Sequence, residues 1–131
     1  DWAAMRNRFY QYDVIQTMKV PSPERYAIQL SGGNLQRMIF ARAAIAEPKI
    51  LLASYPSRGL DIASVKTVHN TLLDLRRRGT SILLISEDVS ELFSICDRII
   101  VLANHKIYGS YFPEKISQEQ VGRIMLKGDD A

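Results

Sequence analysis

Two short apolar runs, KILLA (Lys49 to Ala53) and TSILLIS (Thr80 to Ser86), flank a stretch with a helical period. Between them Ile62, Val65, Val68, Leu72 and Leu75 recur at helical steps and mark one face. Each run is too short for a helix and shows no polar alternation, as expected of a strand covered on both faces. Strand, helix and strand in this order form a right-handed crossover between parallel strands. The expected fold class is therefore α/β. Asp61 is placed to cap the middle helix and Gly79 to end it.

The rhythm extends to both sides. Downstream, the pattern predicts a short helix around Val89 to Ile95 and a strand from Arg98 to Ala103. ANHK then turns into a closing strand, KIYGSY (Lys106 to Tyr111). Ser117 and Gln120 form a capping box for a last helix through Met125. Upstream, Leu35, Met38, Ile39, Ala43 and Ile45 predict a helix from Gly33 to about Ala46, ended by Pro48. VPSPERYAIQ (Val20 to Gln29) breaks any helix with its two prolines, and the first twenty residues hold helical stretches. With 131 residues, 47% of them hydrophobic, one domain with a real core is expected.

Composition narrows the function classes. The net charge of +3 is mild, and Arg76-Arg77-Arg78 stands before Gly79, where cations offset a helix dipole. No nucleic-acid partner is expected from that run. The single cysteine, Cys96, excludes an internal disulfide and reads as a buried, inert thiol. His69 and His105 read as surface residues. No stretch is long and apolar enough to cross a bilayer and no signal peptide is expected, so a membrane is expected to enter only through a partner.

Ser31-Gly32-Gly33-Asn34 poses the chemical question, because glycine is unfavourable in a helix. N–H groups at a helix N-terminus lack partners and make an anion site. There Ser31 adds a hydroxyl, and two missing β-carbons would let a phosphate approach the main chain. The bland alternative, a serine cap followed by a tight turn, stays open on these residues alone. A phosphate loop of the form G-x-x-x-x-G-K-[ST] is not found among the seven glycines.

In order and spacing, LSGGNLQR (Leu30 to Arg37), PSRGLD (Pro56 to Asp61), ILLIS and CDRIIVLANHKIYGS resemble the second half of an ABC-transporter nucleotide-binding domain. LSGGNLQ with PSRGLD looks most like the second of two tandem ATP-binding domains in bacterial sugar and nucleoside importers. The resemblance implies part of a P-loop-NTPase-type domain, with 1–47 in the helical subdomain and 48–131 in the α/β core. It implies ATP with Mg²⁺ in the full assembly and none held tightly by this stretch alone. Its implied partners are another ATP-binding domain, permease subunits and, indirectly, a substrate-binding protein, at the cytoplasmic face of the cell membrane.

Carried over residue by residue, Ser31, Gly32 and Gly33 would contact ATP held by the partner domain, with Asn34 and Gln36 in support. Gly59, Leu60 and Asp61 fall in the D-loop, an interface segment. The chain departs from the family at three places. Ser54 and Tyr55 stand where the family has an Asp-Glu pair, and Glu87 where it has a switch histidine. A neutral hydroxyl is a poor ligand for a hard cation, a phenol is no base at neutral pH, and Glu87 sets an anion against an anion. The expectation is a degenerate site with no metal ligand of its own, beside a signature that serves a neighbour. Alternatives are an autonomous ATPase using Glu87 or Asp88, a non-transport ATPase of the DNA-repair or translation class, and a non-catalytic scaffold.

Overall fold

The computed structural model describes residues 1–127. The described residues divide into two compact units, Asp1–Leu83 and the residues from Leu84 onward.

The first unit opens with α1 (Trp2–Tyr10) and α2 (Asp13–Thr17). Asp1 caps α1 by accepting from the Ala3 amide at 2.9 Å. Nothing in α1 is buried, whereas α2 and the turn after it supply Ile15, Met18 and Val20 to the interior. The prolines at 21 and 23 keep the following segment irregular up to a 3-10 turn at Ala27–Gln29. Helix α3 (Gly32–Ile45) follows, burying Phe40, Ala41 and Ala44. It starts one residue earlier than its apolar period suggests, because Ser31 caps it and Gly32 contributes no side chain to that period.

Strand β1 (Ile50–Ser54), helix α4 (Ile62–Arg77) and strand β2 (Ser81–Ile85) make the expected crossover. The strands are neighbours in a parallel pair, joined at its edge by the Ser81 amide donating to Lys49 O at 2.9 Å. Val68, Thr71, Leu72 and Leu75 form the buried face of α4. Gly79, with φ at 98°, takes the left-handed position that ends it. Arg77 pairs with Asp74 at 2.6 Å and Arg78 with Glu47 at 3.1 Å, so these cations sit at the negative end of α4 with acidic neighbours. His69 is half-buried rather than a surface residue, since its position borders the buried face of α4.

Burial of both strand faces is not observed. Ile50 and Leu52 of β1 are 71% and 70% exposed, and Leu83 of β2 is 50% exposed. Among the described residues of this unit only one sheet face is covered. The continuous apolar run records a second cover that these residues do not supply.

In the second unit, Asp88 caps α5 (Val89–Ile95) by accepting from the amides of Ser90 and Glu91. Strands β3 (Ile99–Ala103) and β4 (Lys106–Tyr111) pair antiparallel across Asn104 and His105, both at positive φ as a tight two-residue hairpin requires. His105 is exposed in that turn. A bulge leaves Tyr108 unpaired between Ile107, opposite Leu102, and Gly109, opposite Val101. The capping box forms as read: Gln120 donates its amide to Ser117 Oγ at 3.1 Å, and Ser117 donates its amide to Gln120 Oε1 at 2.8 Å. Helix α6 (Gln118–Lys127) continues two residues past Met125. Ile99, Val101 and Val121 are the buried centre of this unit, with Leu92, Phe93 and Cys96 packed around them.

Candidate functional site

The entrance of α3 is built from local chemistry. Ser31 is extended, with φ −64° and ψ 157°, and its Oγ accepts from the Asn34 amide at 3.3 Å. The hydroxyl proton stays available for donation. The amides of Gly32 and Gly33 precede the first intrahelical donor, so they are the orphan groups of this end. Helical hydrogen bonding begins with the Leu35 amide donating to Ser31 O at 2.9 Å.

The fold does not require either glycine. Both lie in the helix with φ outside the left-handed region. A β-carbon on Gly32 would meet nothing within 4 Å, and one on Gly33 would make ordinary contact with Leu60 Cδ2 at 3.4 Å. The missing side chains therefore leave open main chain beside orphan amides and a hydroxyl, and this cradle fits an anionic oxygen.

Behind the entrance, α3 lies against the loop after β1. Gln36 Nε2 donates to the carbonyls of Tyr55, at 3.1 Å, and Pro56, at 2.6 Å. The Arg37 guanidinium stands 3.7 Å from Asp61 Oδ2. Gly33, Gln36 and Arg37 occupy steps i, i+3 and i+4 on one helix face, so they meet the loop together. Arg37 was missed by motif reading, although that spacing was its signal. Asp61 caps α4, accepting from the Ser64 amide at 2.9 Å and Ser64 Oγ at 2.7 Å. The Ser64 hydroxyl bond, then the Ser64 amide, hold its carboxyl below the usual aspartate range, and Arg37 adds a smaller attraction.

Ser54 ends β1 exposed to solvent, and Tyr55 follows at φ 49° with Arg58 over its ring at 5.6 Å. Neither side chain offers a carboxylate, so this strand end does not fit a magnesium ion. In the second unit Glu87 is exposed, directly ahead of the cap of α5. Among the described residues no group of His, Cys, Asp and Glu converges in a metal-holding arrangement. None of the described helices is long and apolar enough to cross a membrane.

Cys96 is half-buried, less covered than its apolar neighbours suggested, because it stands at the end of α5 rather than inside it. Burial first, then the charges of Glu91 and Asp97, push its thiol up and away from the reactive thiolate.

Solved structures share this architecture. The ATP-binding subunit of an ABC transporter superposes with a TM-score of 0.79 at 16% identity, covering 87% of this chain and 52% of that one. The dimeric bacterial ABC transporter cassette MJ0796 superposes with a TM-score of 0.74 at 22% identity, covering 88% and 50%. The fold is that of an ATP-binding cassette. In sequence, the glucose import ATP-binding protein TsgD13 of Haloferax volcanii is 38% identical over 102 residues, 78% of this chain and 18% of its own length. The guanosine import ATP-binding protein NupO of Bacillus subtilis is 33% identical over 120 residues, 92% of this chain and 23% of its own length. No family model matches. The chain belongs to the ATP-binding cassette family, with sugar and nucleoside import proteins as its relatives, and spans about a fifth of their length.

Proposed function

We propose that this chain is the C-terminal half of an ATP-binding cassette in a sugar or nucleoside importer, with residues 1–47 in the helical subdomain and 48–131 in the core. Its contribution is a half-site: Ser31, Gly32 and Gly33 cap the γ-phosphate of ATP held with Mg²⁺ by a partner cassette. Asn34 and Gln36 support that entrance, and Gly59, Leu60 and Asp61 lie along the interface. The partner cassette, permease subunits and substrate-binding protein complete the importer at the inner face of the membrane. That relatives are named for glucose and guanosine import supports this reading.

One observation carries the proposal: neither glycine at the entrance of α3 has a reason inside the fold. Two β-carbons are absent where a ligand would come close. Phosphoryl transfer rests on positioning and on stabilising charge that spreads over the transferred group. Orphan amides, a helix N-terminus and a hydroxyl supply that stabilisation without acid–base chemistry. Ser54, Tyr55 and Glu87 do not replace the carboxylate pair and the switch histidine, so this cassette's own site binds nucleotide without rapid turnover. The active composite site is then the one that this entrance completes.

The test is Ser31→Arg in the full-length protein, which fills the cradle with a long cation. ATP turnover is expected to fall by at least about a hundredfold, as when one preorganised donor set is lost. Unchanged turnover removes the half-site role. The isolated chain is expected to bind ATP weakly, and a low-micromolar dissociation constant by calorimetry contradicts the division of labour.

A further inference from the structure

We propose that Gln36 is a positioning residue that ties the interface loop, residues 55–61, to the phosphate-facing entrance of α3. The proposal rests on the half-site reading above and adds a part to it. Gln36 stands one helical turn behind Gly33, and its amide donates to two consecutive main-chain carbonyls, those of Tyr55 and Pro56. Both amide protons are thereby used, and no sequence change in the loop can remove the acceptors.

The backbone that it grips needs holding. Tyr55 is left-handed at φ 49°, a conformation that a bulky residue keeps only where its surroundings over-determine it. The Arg58 amide donates to the same Tyr55 carbonyl at 3.2 Å and closes the turn from the loop side. Gln36 supplies the hold from the helix side. Leu60 then lies where a Gly33 β-carbon would touch it, and Asp61 lies opposite Arg37. One face of α3 thus meets the loop at its start and at its end. A helix is stiff over one turn, so a phosphate that settles the entrance also settles the loop, provided the Gln36 bonds hold.

The experiment uses the full-length protein with Gln36→Met, which keeps length and helix propensity but removes both donors. Amide exchange at 57–61 is followed with and without ATP, beside kcat and KM. Expected are exchange about tenfold faster, loss of its slowing by ATP, and kcat down about tenfold with KM moved less than twofold. Exchange or kcat within twofold of the parent overturns the proposal, as does a change confined to KM. Gln36→Lys, which still donates to a carbonyl, is expected to retain most of the parent kcat, and a folded Lys variant as slow as Met overturns it too. Ser31→Arg runs in parallel: unchanged turnover there ends the half-site reading, while exchange in nucleotide-free Gln36→Met still decides whether the loop is held.

Discussion

Arg37 on α3 and Asp61 at the N-terminus of α4 face each other at 3.7 Å at the end of the loop 55–61. Asp61 meanwhile spends both carboxylate oxygens on Ser64. Its side chain is 64% exposed, so attraction to Arg37 is screened and the cap is the stronger interaction. One residue thereby starts a helix and marks the end of the loop that α3 grips.

Replacing Asp61 with alanine removes the cap and is expected to lower the melting temperature by about 4 °C at neutral pH. The sign with pH follows from the lowered carboxyl. The contribution is complete above the ordinary aspartate range and is lost as pH falls through the lower folded-state value. Parent and variant melting curves should converge in acid; a gap that widens there contradicts the cap.

Gly32→Ala separates stability from activity. Its β-carbon meets open space in a helical backbone, so thermal stability should hold or rise. On the proposed half-site, ATP turnover of the full-length protein should nonetheless drop about tenfold or more, because the β-carbon would enter the space of the partner's phosphate. Equal turnover would return the glycine to a mere turn.

Ser54→Asp and Tyr55→Glu at the end of β1, with Glu87→His ahead of α5, install the polar groups that the resemblance implies at these positions. In a full-length protein whose other composite site has been disabled, Mg²⁺-dependent turnover should rise by about a hundredfold. No gain would show that the deficit lies elsewhere in the cassette.

Gly109, at φ 154°, packs so tightly that a β-carbon would lie 2.6 Å from the ring carbon Cζ of Tyr111. Gly109→Ala should cost about 1–3 kcal/mol in urea unfolding, since the ring belongs to the packed layer around Ile99 and Val101. A neutral effect would mean that the ring swings out freely.

Cys96 should react with iodoacetamide more slowly than a free thiol at pH 7.5, as its thiolate is disfavoured by burial and two nearby carboxylates. Alkylation at the rate of the urea-unfolded chain would refute this.

Local chemistry made much of this legible. Helix caps at Ser31 and Asp61, the box of Ser117 and Gln120 and the Asn104-His105 turn all depend on neighbours within four residues. Such features are written in spacing alone. Two-sided cover of the strands was misjudged because an apolar run records a need for burial without saying which residues meet it. The left-handed Tyr55 was invisible for a similar reason: nothing in a tyrosine signals that backbone, and the carbonyl grip that favours it comes from a residue 19 positions away.

By itself, then, the amino-acid order determined the succession of helices and strands and the serine cap ahead of two glycines, and it raised the expectation of an anion site there. Only the tertiary structure decided that both entrance glycines lack an internal reason and that Gln36 and Arg37 bind α3 to the loop before α4. The physical reason is range. Caps and periods are enforced between near neighbours, whereas a close approach or a long-range hydrogen bond exists only once distant segments have been packed together.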